Sequence, residues 1–364
     1  MSTTFVHFVP FVVIKISKNM LRLCENNKSR QTTLKLIIQI PCLNEEETLP
    51  FTIRDLPRQI DGVDEIETLI IDDGSSDRTV EVARELGVTH IVRHTNNKGL
   101  AEAFMSGLDA CVKLGADIIV NTDGDNQYAG SSIKDLIAPI LTKKADMVVG
   151  DRQVERIEHF SFFKKRLQEI GSWVVRHISD TEVCDTTSGF RAFSREAALR
   201  LNVISGFTYT LETIIQAGKS NIAITDVPIK TNGKMRESRL FSSIPKYVKR
   251  SVATIFRIYT MYEPLKTFSL IGGTVFSVGL LVSLRFLYYY FVEGGGGHIQ
   301  SLILAAVLLL IGFQIVMIGF LADLIRGNRR LIEDTQYRVK KLEVASLHSE
   351  KQISNRQEYL NLEV

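Results

Sequence analysis

Two aspartates and a glutamine in one short stretch have the side-chain chemistry of a divalent-metal site. The stretch is Asn121-Thr122-Asp123-Gly124-Asp125-Asn126-Gln127, and it follows a largely apolar run, 116–120, that predicts a buried β-strand. Carboxylates one residue apart beyond a strand end can converge on one hard cation, and Gln127 can add a third oxygen. Such ligands suit Mg²⁺ or Mn²⁺ and leave positions open for water and substrate phosphates. The plainer alternative is that Asp123 and Asp125 are solvated loop carboxylates.

Length and composition limit the class of protein. The chain has 364 residues, which exceeds one average domain and permits a large core. Its 44 Lys and Arg against 41 Asp and Glu give a net charge of +3. We therefore expect no nucleic-acid partner, because an overall polyanion-binding charge is missing. The four cysteines are scattered without metal-ligand spacing, as is typical of reduced thiols on the cytosolic side of a membrane.

Short apolar runs alternate with helical patterns from Leu34 onward. The predicted strands are 34–40, 66–71, 116–120 and 145–149, and the predicted helices cover about 46–59, 77–86, 100–114 and 132–142. This alternation predicts an α/β fold with a doubly wound, mostly parallel sheet. Ligands of such sheets bind at the carboxyl ends of the strands. The polar motifs of this chain fall at those ends.

Three further polar motifs accompany the Asp-rich stretch. PCLNE at 41–45 follows the first predicted strand, although it could be only a turn into a helix. DDGSSD at 72–77 follows the second strand; Asp77 could cap a helix, whereas an aspartate at the strand end could accept hydrogen bonds from a base or ribose. NKG at 97–99 precedes a helix whose N-terminus suits an anion. Four such motifs in order are difficult to obtain by chance.

Together these motifs resemble a family 2 glycosyltransferase of the GT-A, Rossmann-like fold, in the branch of dolichol-phosphate mannose synthase and polyprenyl-phosphate glycosyltransferases. The resemblance spans roughly 34–325 and is carried by PCLNEEE (41–47), IDDGSSD (71–77), NKGLAEA (97–103), DGDNQ (123–127), GDR (150–152), DTTSGFRAF (185–193) and RESRL (236–240). It implies a metal-dependent, inverting transfer of a sugar from a UDP- or GDP-sugar to an undecaprenyl or dolichyl phosphate.

The resemblance also implies a role for individual residues. These are nucleotide-sugar binding by Pro41, Glu45, Asp72, Asp73, Lys98, Asp123 and Arg152; Mg²⁺ or Mn²⁺ binding by Asp123, Asp125 and Gln127; catalysis by Asp185 and Arg191; and binding of the acceptor phosphate by Arg236 and Arg239. Arg191 could bridge phosphates, and Arg152 could meet the donor diphosphate or be an ordinary surface arginine. Family members often have Ser-Lys at 238–239, so Arg239 replaces a point charge with a planar fork.

Two apolar stretches indicate a membrane anchor independently of the resemblance. Residues 267–292 and 299–325 are each long enough to cross a hydrocarbon core of ~30 Å, and only a short loop joins them. Lys and Arg flank the outer ends and are missing from the loop, so the positive-inside rule predicts a hairpin with a cytosolic catalytic domain. Residues 243–262 mix basic and apolar side chains, as expected of an interfacial amphipathic helix.

The predicted organisation has five segments. They are a variable N-terminal lead (1–33), the GT-A domain (34–240), the interfacial helix (241–266), the transmembrane hairpin (267–325) and a charged cytosolic tail (326–364). The tail fits partner contact or simple solvation equally, and a homo-oligomer is left open. Two other functions also stay open: transfer to a hydroxyl, with Asp185 or Glu212 as obligatory base, and nucleotide-sugar binding without turnover.

Overall fold

The computed structural model describes residues 33–153, 162–204, 209–233, 244–294 and 298–362. The strands are β1 (Lys35–Cys42), β2 (Glu65–Asp72), β3 (His90–Arg93), β4 (Ile118–Asn121), β5 (Met147–Asp151), β6 (Arg191–Ser194) and β7 (Ile224–Pro228). The helices are α1 (Leu49–Asp55), α2 (Thr79–Glu85), α3 (Leu100–Lys113), α4 (Ile133–Leu141), α5 (Phe162–Ser179), α6 (Arg195–Arg200), α7 (Tyr209–Lys219), α8 (Ile244–Tyr262), α9 (Pro264–Glu293) and α10 (Ile299–Leu362).

The strands form one sheet in the order β3-β2-β1-β4-β6-β5-β7. β1 pairs in parallel with β2 and β4, β2 pairs in parallel with β3, and β5 pairs in parallel with β7. β6 alone runs antiparallel, between β4 and β5. The predicted α/β fold with a mostly parallel sheet is therefore confirmed. Because β1, β2 and β4 run in the same direction, their carboxyl ends lie along one edge.

The apolar pattern located the strands with several consecutive apolar residues and missed those without. β1 and β2 are each 8 residues long and overlap the predicted runs. β3 and β6 are each 4 residues long and were not predicted, because polar residues at both ends leave only two apolar residues between them. β4 has the same length and was predicted, because its first three residues are apolar. The first predicted helix is also shorter than expected and covers only Leu49–Asp55.

The sheet is buried on both faces. On one face the fully buried Ile37, Phe104 and Phe193 belong to one apolar cluster. On the other face Ile38 and Leu136 belong to a second cluster. A strand covered by helices on both faces carries apolar side chains at successive positions, which explains why these strands appear in the sequence as continuous apolar runs.

α9 and α10 form a close-packed antiparallel hairpin. A Cβ built on Gly272 would lie 2.7 Å from the carbonyl oxygen of Gly312, and one built on Gly312 would lie 2.6 Å from the amide nitrogen of Phe276. Glycine at these positions lets the two backbones approach closely, as in helix pairs within membranes. Both helices are long and apolar enough to cross a membrane, and few of their apolar side chains are buried in the protein.

α10 extends far beyond the predicted second span. The span was predicted to end at Ile325, but the helix continues without a break to Leu362, which adds about 55 Å at 1.5 Å per residue. The extension packs on the α/β domain through Tyr337. The Tyr337 hydroxyl donates to Glu196 at 3.0 Å, and the Arg200 guanidinium lies 4.4 Å from the centre of the Tyr337 ring.

Other contacts continue along the same side of the extension. Lys113 of α3 pairs with Glu343 at 2.9 Å, and Asn202 donates to Gln336 at 3.2 Å. Nearer the hairpin, Arg329 donates to the Tyr262 hydroxyl at 3.2 Å. The tail was expected either to contact a partner or to be simply solvated. The residues of α10 named here are not simply solvated, because they contact the chain's own α/β domain and α8.

We expect replacement of Tyr337 by Ala to loosen this docking by about 1–2 kcal/mol, since one hydrogen bond and one cation–π contact are lost. Hydrogen exchange of the detergent-solubilised protein should then show faster exchange of α10 amides beyond residue 331. Arg338→Ala is the matched control, because Arg338 lies next in the helix with a side chain 73% exposed. Equal exchange in the two variants would show that Tyr337 does not hold the helix.

Candidate active site

Most of the nucleotide and metal residues predicted from the sequence lie where β1, β2 and β4 end, whereas Lys98 lies in the loop before α3 and Arg152 directly follows β5. The register pairs Cys42 of β1 with Asp72 of β2, and Gln39 of β1 with Asn121 of β4. Pro41 is the penultimate residue of β1, and Asp123 follows the end of β4 by two residues. The parallel sheet thus brings to one edge motifs that are far apart in the chain.

The loops after β1 and β2 are bonded to each other. The amide of Asn44 donates to Ser75 Oγ at 2.9 Å, and the amide of Glu45 donates to Thr79 Oγ1 at 2.8 Å. The Asn44 side-chain oxygen accepts from the amide of Ser76 at 2.8 Å. Asn44 has a φ of +55°, a conformation that asparagine tolerates better than most residues. Glu45 is buried in this junction.

The adjacent aspartates Asp72 and Asp73 have different surroundings. Asp73 is buried and accepts hydrogen bonds from the amides of Lys98 (2.9 Å) and Gly99 (2.8 Å), and it also pairs with His94 Nδ1 at 2.8 Å. It therefore anchors the loop before α3, whose Lys98 side chain is exposed. The sequence analysis missed His94, because only the fold brings this residue of the loop after β3 against Asp73.

Asp72 keeps one carboxylate oxygen without a hydrogen-bond partner. Its Oδ1 accepts from the amide of Ser75 at 2.9 Å. Its buried Oδ2 lies 3.0 Å from Arg93 Nε, but the geometry is that of an ion pair without a hydrogen bond. A buried carboxylate oxygen in this condition is costly unless a ligand or water satisfies it. In the described structure, Oδ2 of Asp72 thus has the Arg93 ion pair without a hydrogen bond, whereas both oxygens of Asp73 accept hydrogen bonds.

Asp123, Asp125 and Gln127 lie in the loop after β4, all partly exposed. The side-chain nitrogen of Gln127 donates to Asp125 Oδ2 at 2.8 Å, and the Gln127 amide lies 3.3 Å from Asp125 Oδ1. The three side chains provide carboxylate and amide oxygens, which is the donor chemistry that Mg²⁺ and Mn²⁺ prefer. The donor set therefore fits the ion that the sequence analysis expects.

Asp185 and Arg152 form a two-point ion pair beside this loop. Arg152 Nε lies 2.6 Å from Asp185 Oδ2 and Arg152 Nη2 lies 3.0 Å from Asp185 Oδ1, while Thr187 Oγ1 donates to the same Oδ1 at 3.0 Å. Asp185 is 2% exposed. Burial alone would raise the pKa of this carboxyl, but the charge of Arg152 and these hydrogen bonds outweigh burial and hold the pKa below its ordinary value.

Arg191 supports the loop that carries Asp185. Its side chain is fully buried at the start of β6. The guanidinium donates to the carbonyl oxygens of Ser188 (2.8 Å), Thr186 (3.0 Å) and Thr210 (2.8 Å). These bonds direct the cation into the protein. The geometry gives Arg191 a role in holding this loop and offers no support for the phosphate contact expected from the sequence.

Tyr128 was not identified in the sequence analysis, although it directly follows the Asp-rich stretch. Its ring stacks on Phe190 with centroids 5.0 Å apart, and its hydroxyl accepts from the amide of Gly189 at 3.1 Å. Burial, with a smaller contribution from Asp123, raises the pKa of Tyr128 to about 12. The residue therefore stays neutral and joins the loop after β4 to the loop before β6.

Two of the predicted residues have no place in the described structure, and one is held away from solvent. Arg236 and Arg239 lie outside the described residues. Glu212 is buried on α7, where its Oε1 accepts from the amide of Ile204 at 3.0 Å.

Asp151, Cys184 and Asp226 are the one group of three His, Cys, Asp or Glu residues in the described chain whose ligand atoms all lie within 4.8 Å of one another. There Cys184 donates its amide to Asp226 at 2.7 Å, which ties the loop to β7.

Removing Arg152 should expose the cost of burying Asp185. We expect Arg152→Gln to destabilise the catalytic domain by about 3–5 kcal/mol at about pH 7, because a buried carboxylate then lacks its cation. In the wild type the folded pKa is lowered, so the pair stabilises the protein above the unfolded value of about 3.9 and ceases to do so as the pH falls through the folded pKa.

In the variant, burial without Arg152 should raise that pKa. The stability difference between the two proteins should then be greatest near neutral pH and smaller at about pH 4. Thermal unfolding in detergent at the two pH values measures it. Arg78→Gln is the control, since the pair of Arg78 with Glu85 is 69% and 65% exposed. A difference that does not change with pH would contradict the assignment of the effect to Asp185.

Comparison with known proteins agrees with this fold. The model of the glycosyl transferase family 2 matches residues 37–201. The chain is similar to UDP-N-acetylglucosamine–dolichyl-phosphate N-acetylglucosaminyltransferase of Methanococcus voltae, with 32% identity over 217 residues that cover 53% of this chain and 83% of that protein. It is also similar to dolichol-phosphate mannosyltransferase of Pyrococcus furiosus, with 28% identity over 267 residues, 70% of this chain and 72% of that one.

A solved structure shares the fold. It is glucosyl-3-phosphoglycerate synthase from Mycobacterium tuberculosis in complex with Mn²⁺, UDP-glucose and phosphoglyceric acid, with a TM-score of 0.50 and 20% identity, covering 68% of this chain and 85% of that one. At this identity the likeness concerns the fold alone. The match to the family model and the 32% identity across 83% of the Methanococcus voltae protein show that the chain belongs to glycosyl transferase family 2 and is a glycosyltransferase.

Proposed function

We propose that this glycosyltransferase transfers a sugar from a UDP- or GDP-sugar to a polyprenyl phosphate, with inversion at the anomeric carbon. The relatives from Methanococcus voltae and Pyrococcus furiosus are named as transferases to dolichyl or dolichol phosphate. The apolar hairpin that follows the catalytic domain would keep the enzyme where such a lipid resides.

The ion pair of Asp185 with Arg152 is the observation that carries the choice of acceptor. A hydroxyl acceptor needs a general base, and the sequence offers Asp185 and Glu212 for that role. Both oxygens of Asp185 are bonded to Arg152, and its pKa is lowered, so this carboxylate is a weak base. Glu212 is buried and bonded to the Ile204 amide. A lipid phosphate needs neither residue, because it is already anionic near neutral pH.

In the proposed reaction a phosphate oxygen of the lipid attacks the anomeric carbon of the donor sugar. A new carbon–oxygen bond forms to the lipid phosphate, and the bond to the donor diphosphate breaks. The nucleoside diphosphate departs with the electron pair. The attack lies in line with the departing oxygen, which inverts the anomeric centre, and alignment of the two reactants supplies much of the catalysis.

The donor nucleotide is proposed to lie across the ends of β1 and β2. Asp72 has a buried oxygen without a hydrogen-bond partner, which could accept from a base or ribose. Pro41 lies at the end of β1 and Glu45 in the loop that follows, and the exposed Lys98 side chain would attract the donor diphosphate. Asp73 contributes by fixing the Lys98 loop, because it binds the Lys98 and Gly99 amides.

Asp123, Asp125 and Gln127 are proposed to hold Mg²⁺ or Mn²⁺. The side-chain nitrogen of Gln127 lies 2.8 Å from Asp125 Oδ2, so the two side chains are neighbours, and rotation of the Gln127 side-chain amide would bring its oxygen to a cation held by Asp125. When bound, the ion would offset the negative charge of the departing diphosphate. The three residues supply oxygen ligands, and each is partly exposed, so a donor diphosphate could reach an ion bound to them.

We expect Asp125→Asn to lower the metal-stimulated rate by more than the roughly 10–100-fold that is typical of changes beside a metal site. The substitution keeps the shape and removes one negative charge. Release of nucleoside diphosphate is measured after EDTA treatment as Mn²⁺ is added back. Asp135→Asn, the same change on the exposed surface of α4, serves as control. Full activity of Asp125→Asn in EDTA would refute a metal at this position.

The catalytic domain is proposed to face the cytosol, with both ends of the hairpin on that side. α8, which carries the exposed apolar residues Val252 and Phe256 and the exposed basic residues Lys249 and Arg250, would lie at the membrane surface. Arg236 and Arg239 precede α8 in the sequence. Both are proposed to bind the lipid phosphate at the membrane surface.

The acceptor assignment is tested by kinetics and by the product. We expect Arg239→Ala to raise the apparent KM for polyprenyl phosphate by roughly tenfold or more, the scale of one charge-assisted hydrogen bond, and to change the KM for donor little. Arg239→Lys should restore part of the affinity, since it retains the charge. Arg338→Ala, at a distant exposed arginine, is the control.

Mass spectrometry and phosphorus NMR of the wild-type product should show the sugar joined to the lipid phosphate. A sugar joined to a hydroxyl would instead support the other acceptor class. An Arg239→Ala variant that loses donor affinity and keeps lipid affinity would move Arg239 to the donor side of the site.

A further inference from the structure

Buried side chains bind both the backbone amide and the backbone carbonyl group of Gly189. Its carbonyl oxygen accepts from Asn121 Nδ2 at 2.9 Å and from the Tyr209 hydroxyl at 3.2 Å. Its amide donates to the Tyr128 hydroxyl at 3.1 Å. Gly189 belongs to the loop before β6 that also carries Asp185, so these bonds fix one end of that loop.

The supports of Gly189 are themselves rigid. Asn121 Oδ1 accepts from Gln39 Nε2 at 2.9 Å across the paired strands β1 and β4, and Asn121 Nδ2 also lies 2.9 Å from the Tyr209 hydroxyl. The Tyr209 ring stacks on Phe104 with centroids 4.0 Å apart and planes 5° from parallel. Gln39 and Asn121 are fully buried, and Tyr209 is almost fully buried. Because water does not reach their polar groups, these groups have few other hydrogen-bond partners.

Gly189 also lies against the carboxylate of Asp123. A Cβ built on Gly189 would stand 3.1 Å from each oxygen of Asp123 and 2.9 Å from the Tyr209 hydroxyl. The backbone of Gly189 therefore occupies one side of the space into which this carboxylate could rotate. Movement of the Gly189 peptide would change the space available to Asp123.

We propose that Asn121 and Tyr209 are positioning residues, which hold the Gly189 peptide against Asp123 and so keep the Asp185 loop and the metal-binding loop in register. The inference rests on the proposed function of Asp123 as a metal ligand. Buried supports of this kind orient metal ligands, and their loss commonly lowers metal affinity by roughly 10–100-fold. A small displacement of reacting groups also lowers the rate.

Tyr209→Phe tests the proposal with little other change. The variant keeps the ring that stacks on Phe104 and removes only the hydroxyl bonded to Gly189 and Asn121. We expect the Kd for Mn²⁺, measured on the full-length protein by paramagnetic resonance of free Mn²⁺, to rise about tenfold. We also expect kcat to fall by roughly tenfold or more, with the KM for donor little changed.

A second variant probes the same contact from the other side. Gly189→Ala places a methyl group against both Asp123 and the Tyr209 hydroxyl, so it too should weaken Mn²⁺ binding. In the double variant with Tyr209→Phe, the hydroxyl that the methyl would meet is gone. The two effects should therefore be less than additive, which is the signature of direct contact.

Tyr337→Phe is the matched control. It also removes a tyrosine hydroxyl, but one that donates to Glu196 in the contact between α10 and α6. Wild-type values of both Mn²⁺ Kd and kcat in Tyr209→Phe, with only a lower Tm, would reduce Tyr209 to a purely structural role and overturn the inference. Fully additive effects would exclude the contact.

The outcome separates this inference from the proposed function. If the wild type binds Mn²⁺ and hydrolyses the donor but transfers no sugar to polyprenyl phosphate, the acceptor assignment fails and the Mn²⁺ titrations still decide the role of Tyr209. If the wild type binds no Mn²⁺, the metal assignment of Asp123 fails and this inference is overturned with it.

Discussion

A buried carboxylate paired with a partly exposed guanidinium is the interaction on which the site depends. Asp185 and Arg152 are brought together from the loop before β6 and the end of β5, and the Asp185 charge could not be buried there alone without a cost of several kcal/mol. The pair joins the two segments and sets the chemistry of the carboxylate at the same time. Because Asp185 is held ionised by Arg152 and Thr187, it is poorly suited to remove a proton, which supports the proposed acceptor that is already anionic.

The loop that carries Asp185 is held on several sides. Arg191 binds two carbonyl oxygens within the loop, while Tyr128, Asn121 and Tyr209 bind the backbone of Gly189. All four supports are buried, and each makes hydrogen bonds that water could not replace without opening the core. The result is a loop whose backbone is set by the sheet and by α7. Such preorganisation suits a reaction in which two bound anionic substrates must be aligned before attack.

The catalytic domain is bound to the hairpin helices at two places. α8 leads directly into α9, and the extension of α10 returns along α6 and α3, where Tyr337 and Glu343 contact Glu196 and Lys113. One connection would permit the domain to pivot about the junction at Glu263. Two connections separated along a stiff helix restrict that motion. In a membrane this would hold the strand ends at a constant height above the lipid surface.

The sequence by itself determined the parallel sheet, the Asp-rich loop at its edge and the apolar hairpin. These features depend on local periodicity and on the order of motifs, which the chain displays directly. Only the tertiary structure decided that Arg191 faces inward, that His94 pairs with Asp73, that Tyr209 reaches Gly189 and that the charged tail packs on its own domain. These contacts join residues that are distant in sequence or carried on different elements. No local pattern records them, because the partner of a buried polar group is set by which elements pack together.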